Sequence, residues 1–360
     1  MLLDVPFLPR DDYVTFLRER SDRLASVHFS LHDPRVPNAR QRLGAAGAIP
    51  DATADVETVI RGLNRLPGVD RFLLMNGRMH RPERYFDQAG LHRTADLLER
   101  LADEAGLTGV VFADGYYLQA LSDARPEVCE RLEAVPSVNA MPDTPARVFA
   151  LLDLIAETAF RPPSRLVADR ALNRDPEGLA ALAHGLRSRH VDIRLFLLAN
   201  EGCLHQCPYK PAHDAHVALV VEGLCGDRTF ALNRDLGCVR RMLEEPGHML
   251  ASPFIRPEDA GRYEGLAHGL KLCGRNRGAD FLLRAVAAYV EEQYAGNLLD
   301  LMDAMGDLAE RVHIPNHGLP ADFFEQVTAC DKACRACGLC AALARRIVER
   351  TDPGLPGFRP

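Results

Sequence analysis

The chain has no apolar run of 18 residues, so no membrane-spanning helix is expected. It has no basic block, and its net charge is −7, which leaves a nucleic-acid surface without electrostatic support. Neither GxxxxGK(S/T) nor GxGxxG follows a strand-like segment, so phosphate binding by those loops has no basis. A GxSxG elbow and an HExxH helix are also missing, which removes the usual serine-hydrolase and zincin signatures. The first residues, MLLDVPFLPRDD, lack the basic and long apolar regions of a signal peptide, and a cytoplasmic location is expected. Tryptophan is absent, which excludes no function.

Cysteine is plentiful. There are ten in 360 residues, and four fall within eleven residues near the C-terminus. Ten are too few for a disulfide scaffold in a chain of this length. Clustered thiols without an export signal favour metal ligation.

Short apolar runs alternate with amphipathic stretches. Strands are expected at 26–31, 72–77, 109–114, 137–142, 165–170, 193–200, 248–254 and 269–274. Several are apolar at successive positions, as strands covered on both faces are. Helices are expected at 91–105, 144–160, 176–189 and 279–294, the second opening on Thr-Pro. Eight strands with helices between them suggest a TIM-like (β/α)8 barrel over 1–294, and a doubly wound sheet gives a similar pattern. Residues 295–360 form a small Cys-rich helical module in this reading.

That module carries Cys330, Cys334, Cys337 and Cys340. Four thiolates this close can reach one cubane. Structural zinc also takes four cysteines, but usually as two separated pairs, so the spacing leans towards an iron–sulfur cluster. The first three match the CxxxCxxC of radical S-adenosylmethionine enzymes. Here the motif follows the barrel, and Cys340 fills the position that would have to stay open, so a closed cluster is expected.

A second set is scattered. Cys203 and Cys207 follow the sixth expected strand, and Cys238 lies some thirty residues on. Loops after barrel strands lie on the catalytic face. Three thiolates meeting there would suit a second cluster, with Cys225 and Cys273 competing as fourth ligand. One or two [4Fe–4S] clusters are therefore the expected cofactors. Cys129 reads as packing.

Asn76, Asp114, Asn139, Asp169, Asn173 and Asn200 stand at or past strand ends, where they would line a barrel mouth or simply start turns. Glu201, His205, His213 and His216 surround the Cys203 loop. Arg256 and Arg275 would clamp a carboxylate, or Arg256 would pair with Glu258 or Asp259. The catalytic candidates are Arg256, Arg275, Glu201 and Asp114.

The stretches NEGCLHQCP, SPFIRPEDAGRYEG and LKLCGRNR resemble the collagenase-like peptidase family U32. Its kin include the anaerobic hydroxylation proteins of ubiquinone synthesis and prephenate-dependent RNA hydroxylation proteins. The resemblance covers about 26–294 and is weaker in the first half. Arg256, Glu258 and Asp259 match its RPED element, and Lys271, Gly274 and Arg275 match a KxxGR strand end. It implies a TIM-like barrel and a [4Fe–4S] site on Cys203, Cys207 and Cys238. The three-residue gap between Cys203 and Cys207 is narrower than the family's, and the tail quartet is not a typical feature. An oxygen-independent hydroxylation or related redox modification of a small molecule, RNA or peptide is the implied activity. A peptidase-like hydrolase and a non-catalytic electron-transfer or maturation protein are the alternatives. The expected partners are a small-molecule or peptide substrate and an electron donor or partner subunit.

Overall fold

The computed structural model describes residues 1–31, 33, 35–36, 38–39, 55–79, 81–189 and 191–350. The last ten residues of the expected tail module lie outside these.

Eight strands form the wall: β1 (Leu2–Pro6), β2 (Leu24–Phe29), β3 (Asp70–Met75), β4 (Gly109–Phe112), β5 (Glu133–Pro136), β6 (Arg165–Ala168), β7 (Arg194–Leu198) and β8 (Gly269–Lys271). Their order is β5-β4-β3-β2-β1-β8-β7-β6, and every pairing is parallel. This is a TIM-like barrel, nearly closed. Among the described residues no ladder joins β5 to β6. A bridge between Glu133 and Arg161 and the bonds from Ser164 to the Glu133 carboxylate hold that seam at its lower end.

Side chains alternate across the wall, as the strand period requires. Leu3, Val5, Val27, Leu73, Val110, Leu166, Leu195 and Leu270 belong to the core shared with the surrounding helices. Phe72, Leu74, Val111 and Val135 form one smaller apolar cluster. Val167, Phe196 and Leu198, with Ala25, form another. Gly269 keeps β8 close to its neighbour, since a Cβ there would stand 2.5 Å from the Phe196 ring.

The helices end where local chemistry dictates. Asp87, Asp114, Thr144 and Asp175 each accept a first-turn amide, and the helix Gln88–Ala105 closes on Gly106 in the left-handed region, φ 56°. Among the described residues no helix is long and apolar enough to cross a membrane.

Three strand expectations need correction. Residues 248–254 are not a strand. Pro246 and Gly247 start a short helix, Gly247–Leu250, that leads into an irregular segment. Residues 137–142 lie beyond β5, where the Ser137 hydroxyl accepts from the Asn139 amide and winds a 3-10 turn. The missing strand is β1, which stands between β2 and β8.

Beyond residue 294 the chain folds back over the mouth. The Asp303 and Ala304 amides donate to the carbonyls of Asn200 and Glu201 at 2.9 and 2.7 Å. Phe323 is fully buried and stacks on Phe254, ring centres 5.9 Å apart, with the Arg174 guanidinium against both rings.

Candidate functional site

The barrel interior holds a polar group that the strand alternation assembles. Asp4 on β1 is fully buried. Its carboxylate accepts from Ser26 Oγ at 2.9 Å, Arg165 Nη2 at 2.5 Å and Lys271 Nζ at 2.7 Å, and meets His28 Nδ1 at 3.0 Å. Lys271 Nζ also lies 2.8 Å from His28 Nδ1. Arg165 reaches Ser26 Oγ with its other amino group and sits over the rings of Phe72 and Phe196.

Burial works against every charge here. It raises the Asp4 carboxyl, yet Arg165, Lys271 and His28 outweigh it and hold the group well below the ordinary range. Burial and the Lys271 charge push His28 down to about 4, so its ring is neutral near pH 7. Burial pushes Lys271 down to about 8, with Asp4 resisting. These four residues line a cavity of about 80 Å³ that opens past Asn76, Asn139, Glu201 and Arg275.

Two of the four sequence candidates are therefore on this cavity. Glu201 lines it and pairs with Arg170. Arg275 lines it and donates to Asn38 Oδ1 at 2.5 Å. The other two stand elsewhere. Asp114 caps the helix Gly115–Ala124 and accepts from the Met79 amide and the Tyr85 hydroxyl, which is turn chemistry. Arg256 makes a buried two-point ion pair with Asp259, at 2.6 and 2.8 Å, beneath the tail. Its guanidinium is engaged there by Asp259.

Of the other strand-end residues, Asn200 and Asn173 serve the backbone. Asn200 receives the Cys273 amide and donates to the carbonyls of Cys273 and Leu301. Asn173 donates to the carbonyls of Leu198 and Pro253. Asp169 caps the turn Arg170–Arg174.

The cysteines form two separate sets. Cys203 follows β7 and receives Arg170 Nη1 at 3.6 Å. Burial raises its thiol, with Glu201, Cys207 and Cys238 adding to the effect and Arg170 opposing it. Burial and then Cys207 raise the Cys238 thiol. These three neighbours are the trio read from the sequence. Cys273 instead lines the barrel cavity, its sulfur 3.3 Å from Asn200 Oδ1. Cys225 is exposed beside His216.

Cys330, Cys334, Cys337 and Cys340 surround a second cleft, with Glu245, His248 and Lys332. The turn Cys334–Cys337 ends on Gly338 at φ 64°, which lets the helix Leu339–Ile347 start at a new angle. Lys332 donates to the carbonyls of Val327, Thr328 and Cys330. Burial pushes the Cys340 thiol up to about 11, Arg174 opposes, and the other three tail thiols add to it. Gly247 lies against Ala341, where a Cβ would come within 2.8 Å of backbone, so the tail rests on the mouth segment.

Among the described residues no three Cys, His, Asp or Glu side chains already converge as metal ligands. The donor chemistry nevertheless suits a thiophilic centre: four soft sulfurs share one cleft, and each set has an arginine near one thiol. Loading either set requires the thiols to turn towards one another.

Asp4, His28 and Arg165 escaped the sequence reading, and Lys271 entered it only as part of a family motif. The available signal was a charged or imidazole residue at alternate positions inside otherwise apolar runs, in LLDVP, SVHFS and SRLVA.

No protein-family model matches the chain. An uncharacterized protease of Methanocaldococcus jannaschii is 26% identical over 204 residues, 56% of this chain and 59% of that protein. The chain thus spans about three fifths of the curated relative it matches. The solved structure of a U32 peptidase is 16% identical, covers 76% of this chain and 92% of its own, and has a TM-score of 0.46. A probable 3-DHS dehydratase from Bacillus anthracis, at 11% identity, covers 81% and 99% with a TM-score of 0.41.

Proposed function

We propose that the chain is an iron–sulfur enzyme of the collagenase-like peptidase superfamily, performing an oxygen-independent hydroxylation or related redox modification in the barrel cavity. The observation that carries this reading is the division of seven cysteines into two sets, one around Cys203 just past β7 and one in the tail cleft.

Cys203, Cys207 and Cys238 would hold one cluster, and Cys330, Cys334, Cys337 and Cys340 the other. A bound cluster supplies single electrons at a potential set by its surroundings. The chain's own residues do the rest. Arg170 offsets thiolate charge at Cys203, and Arg174 does so at Cys340. Asn76, Asn139 and Arg275 offer polar contacts at the mouth. Asp4 and His28 fix the Lys271 ammonium.

A peptidase-like hydrolase is the second reading. It is favoured by the protease and peptidase names of the relatives and by the acid–base groups in the cavity. Metal analysis separates the two. Anaerobically purified protein should be brown, with about four or about eight irons per chain and matching acid-labile sulfide. A colourless protein with stoichiometric zinc and no sulfide rejects the iron–sulfur reading.

A further inference from the structure

Of the 43 basic side chains, only three are lysines: Lys210, Lys271 and Lys332. Nearly every other cation is a guanidinium, including the exposed ones where lysine would serve as well. Arginine stays protonated and cannot act as a nucleophile, whereas an amine can. Lys210 pairs with Asp214 one helical turn away, and Lys332 donates to three carbonyls. Lys271 is the one inside the barrel cavity.

Its surroundings set it apart from a filler charge. The side chains of Asp4, His28 and Arg165 are 1%, 2% and 3% exposed, while Lys271 is 11% exposed. Lys271 is therefore the most exposed side chain of the group, and it lines the cavity. His28 Nδ1 lies 3.0 Å from Asp4 and 2.8 Å from Lys271 Nζ. That nitrogen holds either a hydrogen or a lone pair. With a lone pair it accepts from the Lys271 ammonium. With a hydrogen it donates to Asp4 and leaves Lys271 a free amine, whose proton has gone to solvent through the open cavity.

We propose that Lys271 is a nucleophilic amine that captures a small carbonyl compound as an imine, with Asp4 and His28 as positioning residues that hold it. The nitrogen lone pair attacks the carbonyl carbon, and the carbonyl oxygen collects protons as the carbon–nitrogen bond forms. Loss of that oxygen as water leaves the carbon–nitrogen double bond. The exchange consumes no oxidant and no reductant. The cavity of about 80 Å³ has room for a small carbonyl compound such as pyruvate. This deepens the reading of the cavity as the reacting place by naming the substrate class.

Reductive trapping tests it. The full chain is treated with pyruvate and sodium cyanoborohydride, and the adduct is mapped by peptide mass spectrometry. One reduced adduct is expected, on Lys271, in clear excess over Lys210, Lys332 and the N-terminal amine. Lys271→Arg should lose it and Lys210→Arg should keep it. If Lys271→Arg does not fold, judged by its circular dichroism melt, the wild-type map alone decides. An unmodified Lys271, or labelling spread evenly over all the amines, overturns the proposal. Iron is counted on the same samples. Iron without an adduct sinks this inference alone, and an adduct without iron sinks the iron–sulfur reading alone.

Discussion

The barrel interior and the tail cleft both gather polar groups, but in opposite ways. Inside the barrel Asp4 is met by Ser26, His28, Arg165 and Lys271, so the fold itself completes the arrangement. In the tail the four thiols face a shared cleft, and the hydrogen bonds nearby belong to Lys332 and the main chain. The first region is organised before anything binds. The second has the right atoms and needs a ligand to draw them together. Damage to the barrel group should therefore register as lost stability, and damage to the tail as lost metal.

The largest expected effect is in the barrel. Asp4→Asn leaves Arg165 and Lys271 buried without their counter-charge, and breaking a buried pair in this way costs about 3–5 kcal/mol. Urea unfolding would measure it, and a change below 1 kcal/mol would remove the contrast. Next is the metal. Replacing Cys334 and Cys337 with Ala should remove one set's iron and spare the other, and replacing Cys203 and Cys207 should do the reverse. If either pair of changes empties the whole protein, the two sets are one site.

Acid gives the third effect. The folded His28 is depressed to about 4 from 6.5, so between these values the unfolded chain binds the extra proton. Stability should fall as pH drops from 6.5 to 4, by about 3 kcal/mol from this group. Asp4, also depressed, adds to the loss only below the ordinary carboxylate range. His28→Asn should flatten the slope between pH 6.5 and 4, as thermal melts across that range would report. The smallest effect is at Asp114, where loss of the helix cap to Ala should cost about 1 kcal/mol and leave iron content unchanged.

The sequence made the barrel legible wherever strands were plainly apolar. β3, β4, β6 and β7 fall within a few residues of the expected runs. β1 was hidden because it is five residues long and carries a carboxylate at its centre, which interrupts the apolar run that marks the other strands. With it went Asp4, the residue around which the interior is built. HMLASPF misled in the other direction, because an apolar stretch can be a buried turn as easily as a strand. The cysteine sets were legible because thiol spacing survives without knowledge of the fold. A fourth partner for the trio was not, because Cys273 stands two residues past β8 and lines the barrel cavity. Arg256 reads equally as an anion clamp or as the partner of a nearby carboxylate, and in the fold Asp259, three residues on, is that partner.

The seam between β5 and β6 bears on how the cavity changes size. A closed ring of strands can widen only by breaking ladder bonds. This ring is cut, and it is pinned below the cut by Glu133, Arg161 and Ser164. Val135 through Asn139 line the cavity on one lip, and Arg165 and Val167 line it on the other. Above the cut the Asp169 amide donates to the Pro142 carbonyl at 3.0 Å, so the two lips meet through a few loop bonds at top and bottom, and widening the ring here costs those bonds rather than a whole ladder.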